Sequence, residues 1–306
     1  MNGRGEALHT VGSAGSSRGT VAVESIPRTE ALERAGFRFG ARGTQSSRSI
    51  MVRELGELLD ALPADASRVD YATAVVDENI LGKPTHATRR ATRQRLAELY
   101  ALDPAVPLFR VLRRLWVFDR RDPRGQRLLA LLAALARDPL LRLTAAPVLA
   151  LAPGEELRWA RFKAAIRAGT GSRFNDAVLG KVVGNAASSW TQSGHLEGRI
   201  RRKRRTVAPT PAAIAMALWL GKAEGLAGRQ LIDSRWAAVL DLRGGMLLPH
   251  AMQARRLGLI HLRAAGNVVE VSVRALDPGY RPDFSSHRDS GSRPESYFAS
   301  NPESTP

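Results

Sequence analysis

The stretch of sequence that decides the fold is DENILGKPTHATRRATRQRLAELY, residues 77–100. Gly82 can adopt the left-handed conformation that ends a helix, and Pro84 prevents that helix from continuing. Thr85 can then cap a second helix by accepting a hydrogen bond from a backbone N–H of its first turn. The pattern predicts a helix-turn-helix segment. Its first helix covers residues 69–81, and its second helix ends at Tyr100.

The second helix of this segment has two different faces. Leu96, Leu99 and Tyr100 have the spacing of a buried stripe, whereas no acidic residue lies between Glu78 and Glu98. A basic face beside a tight turn can contact phosphates or enter a DNA groove, although it could also be an ordinary solvated helix surface. The predicted nucleic-acid contacts of this segment are Lys83, Thr85, His86, Arg89, Arg90, Arg93 and Gln94.

Helical spacing of apolar residues continues on both sides of this segment. It predicts further helices at residues 50–62, 108–118, 126–137, 157–168 and 174–190. Prolines separate these segments at intervals typical of a helical bundle. The chain is therefore predicted to be mainly α.

The C-terminal region has a different pattern. Thr210 and Pro211 have the residue types of an N-cap and a first helical position, and a second helix over 246–256 is closed by Gly258. The sequence LIHLRAAGNVVEVSV then alternates on both sides of a glycine-containing turn at residues 265–267, which predicts a β-hairpin. Helices followed by a hairpin predict a winged-helix-like unit.

Five regions follow from these patterns and from composition. We expect a basic arm at 1–48 that is disordered or only partly ordered, and a disordered tail at 278–306. Between them we expect an N-terminal helical domain at 49–152, helices with a basic linker at 153–208 and the winged-helix-like domain at 209–277.

Charge is the strongest functional signal. The 306 residues contain 46 Lys and Arg against 29 Asp and Glu, a net charge of +17. GC-rich coding sequence would explain why 41 of the 46 are Arg, but it would not explain the excess over acids. The excess is concentrated at 153–208, where twelve basic residues face four acidic ones. An acidic polymer is therefore the expected partner, with nucleic acid favoured over an acidic protein or membrane surface.

Two further groups of cations are candidate contacts. Six of the seven residues at 199–205 are basic, and a flexible cationic strand gains affinity for phosphates through counterion release. The alternatives are an unpatterned linker or a segment that folds against an acidic partner. The second group lies at the end of a predicted helix and on the predicted hairpin. At the helix end, arginine could equally complement the helix dipole. The first group is Arg199, Arg201, Arg202, Lys203, Arg204 and Arg205, and the second is Arg255 and Arg256 on the helix and Arg263 on the hairpin.

Several classes of function lack their sequence signatures. Cysteine is absent, no histidine pair has metal-binding spacing, and neither a phosphate-binding loop nor a nucleophile elbow occurs. We therefore expect no enzyme activity, cofactor or metal. No apolar run is longer than the nine residues at 128–136, far shorter than the roughly 20 residues of a membrane span, and residues 1–19 lack the apolar core of a signal peptide. A cytoplasmic protein is expected.

The sequence also resembles a known family at several points. The likeness begins with ENILGK at 78–83, Thr85 and LYALD at 99–103, and it spans roughly residues 50–277. Its further points are Thr88-Arg89, Leu115-Trp116, LLALL at 128–132, ARDPLLR at 136–142, Gly154, Trp219-Leu220-Gly221, Gly225, Leu240-Asp241 and AGNVVEV at 265–271. On these motifs the chain resembles the BrxA family of BREX bacteriophage-exclusion systems.

This resemblance implies a non-enzymatic, mainly helical DNA-binding component of a phage defence system, acting with other BREX proteins. It supplies no individual binding residues, because the shared motifs build the fold. Since the chain has few base-reading Asn or Gln residues beside its arginines, we expect phosphate contacts to duplex DNA with weak sequence specificity, Gln94 being an exception. An RNA-binding helical module and an adaptor for acidic partner proteins stay open.

Overall fold

A computed structural model describes residues 28–40, 48–266 and 268–280, and it is mainly helical as predicted. The N-terminal helices are α1 (Arg28–Ala35), α2 (Val52–Ala61), α3 (Arg68–Val76), α4 (His86–Tyr100), α5 (Pro107–Phe118) and α6 (Pro123–Arg137). The middle elements are α7 (Pro139–Leu143), α8 (Ala145–Leu149), α9 (Trp159–Thr170), α10 (Asp176–Gln192), β1 (Leu196–Glu197) and β2 (Lys203–Arg204). The C-terminal elements are α11 (Pro211–Ala223), α12 (Gly228–Ile232), α13 (Arg235–Val239), α14 (Leu247–Arg256), β3 (His261–Ala265) and β4 (Val268–Ser272).

Helices α6 and α11 form the centre of the core. Both are apolar around most of their circumference, and both are buried on nearly every side, as such helices must be. They pack against each other, with α2, α4 and α5 around α6 and with α12, α13 and α14 around α11. One hydrophobic cluster runs through the described residues from Leu32 to Leu276, so it is continuous across the predicted boundaries at 153 and 209.

The predicted C-terminal elements are confirmed. Thr210 caps α11 by accepting a hydrogen bond from the Ala213 N–H at 3.2 Å, and Pro211 occupies the first helical position. Strands β3 and β4 pair in antiparallel register from His261↔Ser272 to Ala265↔Val268. Asn267, which the sequence places between these two strands, lies outside the described residues.

Part of the predicted N-terminal arm is an ordered element of the core. Leu32, Ala35 and Phe37 are buried, and the Phe37 ring meets the Trp236 ring edge-on at 6.2 Å. The Arg137 guanidinium donates a hydrogen bond to the Gly36 carbonyl at 2.6 Å. Residues 1–27 and 41–47 of the predicted arm, and 281–306 of the predicted tail, lie outside the described residues.

Another hairpin, which we did not predict, lies between α10 and α11; because it comes earlier in the chain we call it the first hairpin and the β3–β4 pair the second. Strands β1 and β2 pair antiparallel with Leu196 opposite Arg204 and Glu197 opposite Lys203, and Glu156 forms a bridge to Lys203 from the other side. The chain therefore runs from the Glu156 bridge through α9, α10, β1 and a loop to β2, an order similar to that of a winged-helix unit. None of the helices in the described ranges is long and apolar enough to cross a bilayer.

Candidate nucleic-acid interface

The turn before α4 has the predicted cap but a different first helix. Thr85 accepts a hydrogen bond from the Thr88 N–H at 3.2 Å, and Gly82 has the left-handed φ of 59°. Helix α3, however, ends at Val76 rather than Leu81. Asn79, with φ of 54°, turns the chain before Gly82 does, so residues 77–85 form a longer connection than the predicted tight turn.

Several polar side chains of this segment are committed to the fold. The Lys83 ammonium pairs with the Glu54 carboxylate at 3.0 Å, and this pairing contributes to lowering the pKa of Glu54 against the opposing effect of burial. Arg89 donates to the carbonyls of Lys83 and Val76, both at 3.3 Å. Gln94 donates to the Glu98 carboxylate at 2.9 Å. Arg89 therefore fastens α4 to the preceding turn and does not share an open face with Arg93.

The cations left over on α4 are fewer than predicted. His86 and Arg90 are exposed and Arg93 is half-buried. Thr85 is a helix cap, and Lys83 has an acidic partner. Within the described ranges, Arg90 and Arg93 are the cations of α4 that make neither a side-chain hydrogen bond nor an ion pair, which is a weak basis for a phosphate-binding face.

Residues 199–205 are not the solvated linker that their charge predicts. They form the loop of the first hairpin and its strand β2, in which side chains alternate between the two sides. Arg199, Arg201, Lys203 and Arg205 are exposed, whereas Arg202 is half-buried and Arg204 is buried. The prediction of phosphate contacts is wrong for Arg204, because its guanidinium points into the protein.

Arg204 anchors the base of this hairpin. Its side chain is 4% exposed and makes an ion pair with the Asp241 carboxylate, which also accepts a hydrogen bond from the Val207 N–H at 2.8 Å. His195 lies beside this pair and is itself fully buried. Its Nε2–H donates to the Val239 carbonyl at 2.7 Å, and burial lowers the pKa of His195 to about 4. The imidazole is therefore neutral at pH 7.

Arg202 supports the other side of the hairpin. Its guanidinium lies 5.4 Å from the centre of the Trp159 ring and donates to the Ser188 hydroxyl of α10 at 3.2 Å. Burial lowers the pKa of Arg202. Trp159 is 40% exposed, in contrast to the other four tryptophans, which are fully buried. Arg202 thus ties the hairpin to both α9 and α10.

Helix α9 brings a set of cations beside this hairpin that sequence reasoning missed. The Leu157 N–H donates to the Arg202 carbonyl at 2.7 Å, so the start of α9 lies directly against β2. The signal was present in the sequence, because residues 157–175 contain five cations and no acid. We call the combined region the hairpin–α9 surface, and its exposed members are Arg158, Trp159, Arg161, Lys163, Arg199, Ile200, Arg201 and Lys203.

The six cations of the hairpin–α9 surface are available for a ligand. Within residues 28–40, 48–266 and 268–280, none of them makes a side-chain hydrogen bond or an ion pair. Of the nearby acids, Glu197 pairs with Arg205 at 3.5 Å and Glu155 accepts from the Ala152 N–H at 3.0 Å. Glu156 is exposed. Exposed cations without partners can each contact a phosphate group.

The predicted C-terminal contacts are exposed but carry less charge. Arg255 and Arg256 lie in the last turn of α14, where they complement the helix dipole. Arg263 is exposed on β3, directly opposite Glu270. Three cations beside one acid make a smaller electropositive surface than the hairpin–α9 surface.

No cluster of three or more His, Asp or Glu that could hold a metal ion occurs in the part of the chain that the structure describes.

Comparison with known proteins adds no assignment, because neither a protein-family model nor a curated protein matches the chain. The resemblance to the BrxA family therefore stays a prediction.

Proposed function

We propose that this protein binds duplex DNA through the hairpin–α9 surface, mainly by contacts to phosphates. The observation that carries the proposal is a set of six exposed cations without side-chain partners in the described residues. Three lie on a hairpin whose base is fixed by Arg202 and Arg204, and three lie at the start of the adjoining α9. Neutralising several phosphates releases counterions, which supplies most of the affinity of a binder without base specificity.

The arrangement of α9 and α10 favours a duplex over a single strand. The two helices are joined by a short turn at 171–175, with Asn175 capping α10 through the Val178 N–H at 2.9 Å. A side-chain Cβ added at Gly180 or Gly184 of α10 would meet nothing within 4 Å, so a DNA backbone can approach this helix closely. In helix-turn-helix motifs, the second helix of the pair enters the major groove of duplex DNA.

The wider role follows from the charge and the family resemblance together. A net charge of +17 and the BrxA-like motifs support a non-enzymatic, DNA-binding accessory component of a BREX-type phage defence system. Its further partners would be other proteins of that system. The hairpin–α9 surface would then be the part of the chain that contacts DNA.

The test compares two triple variants that each lose three positive charges. Arg199→Gln/Arg201→Gln/Lys203→Gln removes hairpin cations, and Arg255→Gln/Arg256→Gln/Arg263→Gln is the matched control. Affinity for a random duplex is measured by fluorescence anisotropy at salt concentrations from about 50 to about 200 mM. The hairpin variant should reduce the slope of log K against log salt by about 0.9 for each lost contact, up to about 2.7 in total. The control should change it much less.

Equal losses in the two variants would contradict the proposal, since affinity would then follow net charge rather than this surface. Competition with structured RNA and with polyglutamate separates the remaining alternatives. Stronger competition by RNA than by duplex DNA would favour an RNA-binding module. Stronger competition by polyglutamate would favour an adaptor for acidic proteins.

A further inference from the structure

The tip of the first hairpin carries an exposed apolar side chain between two cations. Ile200 is 82% exposed, the largest exposed fraction of any large hydrophobic side chain in the described ranges. Arg199 and Arg201 on either side are also exposed and have no side-chain partner there. A single exposed apolar residue is common on protein surfaces, but here it lies at a loop tip between two arginines without partners, a combination that suits a ligand taking an apolar group and two positive charges together.

The hairpin holds this tip rigidly. The loop is short, from Gly198 to Arg202, and Gly198 has φ of 96°. A Cβ at this position would lie 2.3 Å from the Arg201 carbonyl oxygen, so the loop can close only with glycine here. Below the loop, the Arg204–Asp241 ion pair and the packing of Arg202 on Trp159 fix both sides of the base.

A rigid apolar tip flanked by arginines matches the minor groove of DNA. Arginine enters this groove because its potential is strongly negative, and apolar side chains inserted from it unstack neighbouring base pairs and kink the duplex. A partner protein that buried Ile200 would have to remove water from two unpaired guanidinium groups as well. The groove compensates these charges with phosphates on both sides.

We propose that Ile200 is a wedge that inserts between base pairs from the minor groove, with Arg199 and Arg201 in the groove beside it, so that the protein bends the DNA it binds. This inference rests on the proposed function and adds a second consequence to it. Phosphate contacts alone would bind a straight duplex, whereas the wedge requires a deformed one.

The experiment measures bending and binding on the same complexes of the full chain. A duplex labelled at both ends reports its end-to-end distance by energy transfer, and anisotropy reports affinity. The wild type should shorten that distance, in line with a kink of about 20–90°. It should also bind a duplex with one central mismatch roughly tenfold more tightly than the intact duplex, because the mismatch lowers the cost of unstacking.

Ile200→Ala should lose the bend and the preference for the mismatch while keeping the salt dependence. Ile200→Leu should keep both, because its apolar volume is similar. Since the side chain is exposed, neither variant should change the melting temperature appreciably. An alanine variant that bends DNA as the wild type does would overturn the wedge.

Three other outcomes also overturn this inference. If the wild type binds the duplex but leaves it straight, the wedge fails and the proposed function stands. If the wild type does not bind duplex DNA, both fail. If Ile200→Ala loses binding to vesicles of anionic phospholipid while bending of DNA is absent, the tip inserts into a membrane surface instead.

Discussion

The two hairpins in the described part of the chain have the same connectivity, but the side chains at their tips differ in charge. Each follows a helix of its unit, α10 before β1–β2 and α14 before β3–β4, and each is a two-stranded antiparallel pair. The first has a cationic loop with Ile200 at its tip, whereas the second has the neutral residues Ala264, Ala265 and Val268 around its turn. Equivalent positions in a fold therefore need not have equivalent functions.

The hairpins also differ in how they are attached. The inner side of the second is apolar, with Leu262 and Val271 buried opposite each other. The inner side of the first combines Leu196 with the charged Arg204, which needs Asp241 to compensate it. The first hairpin is thus held by an ion pair whose arginine is buried and the second by hydrophobic packing, and the expected effects of substitution follow from this difference.

The largest effect is expected at this ion pair. Arg204→Ala should lower the free energy of unfolding by about 3 kcal/mol, because it removes a buried side chain and leaves the half-buried Asp241 carboxylate without its counter-charge. Arg263→Ala, at an exposed position of the second hairpin, should change it by no more than about 0.5 kcal/mol. Urea denaturation measures both. The double variant Arg204→Met/Asp241→Asn should recover part of the lost unfolding free energy. Equal losses of unfolding free energy in Arg204→Ala and Arg263→Ala would show that the ion pair does not anchor the hairpin.

A pH-dependent effect of intermediate size is expected from His195. Burial lowers the pKa of His195 to about 4, below the ordinary value of 6.5. The unfolded chain therefore takes up a proton between these values and the folded chain does not, so the stabilisation is complete above about pH 6.5 and is lost as the pH falls towards 4. Asp119 acts in the opposite direction, because burial raises the pKa of its carboxyl to about 6.

The comparison of variants isolates the histidine. Between about pH 7 and pH 4, wild type should lose roughly 2–3 kcal/mol more unfolding free energy than His195→Gln does. His261→Gln, at an exposed position at the start of the second hairpin, is the matched control. Denaturant titrations at several pH values provide the measurement. Parallel curves for wild type and His195→Gln would contradict the burial of a neutral imidazole.

The smallest difference between the two hairpins is expected at their loop glycines. Gly198→Ala combines a positive φ with a 2.3 Å approach to the Arg201 carbonyl, so it should cost about 2–3 kcal/mol. Gly266→Ala has a φ of 55° and no atom within 4 Å of the added Cβ, so it should cost about 1 kcal/mol. Urea denaturation tests the ranking. A larger cost at Gly266 would show that the first loop is more adaptable than its geometry indicates.

Much of the fold could be predicted because its core helices carry regular apolar spacing. The caps at Thr85 and Thr210 and the second hairpin were predicted for the same reason, since each has a local pattern of its own. The first hairpin had no such pattern. Its inward positions, Arg202 and Arg204, are as basic as its outward ones, so the alternation was invisible in a run of cations.

The candidate site was predicted only in part, because charge in a sequence does not show which cations already have partners. Arg199, Arg201 and Lys203 are exposed as expected, but Lys83 and Arg89 are committed to Glu54 and to backbone carbonyls. The cations of α9 were missed because they are spaced through an ordinary helix. They become part of a surface only through the strand pairing that places α9 beside β2.

The ion pair at the base of the first hairpin links parts of the chain that a domain map would separate. Asp241 lies 37 positions after Arg204, beyond the predicted boundary at residue 209, and Val239 in the same stretch accepts the hydrogen bond of His195. A fragment ending at residue 208 would contain every cation of the hairpin–α9 surface and lack the carboxylate and the carbonyl that hold the hairpin in shape. The cations of the surface therefore come from residues before 209, whereas the groups that hold the hairpin in shape come from residues after it. Insertions, fusions or truncations near residue 209 would alter the surface without changing any residue that contacts the ligand.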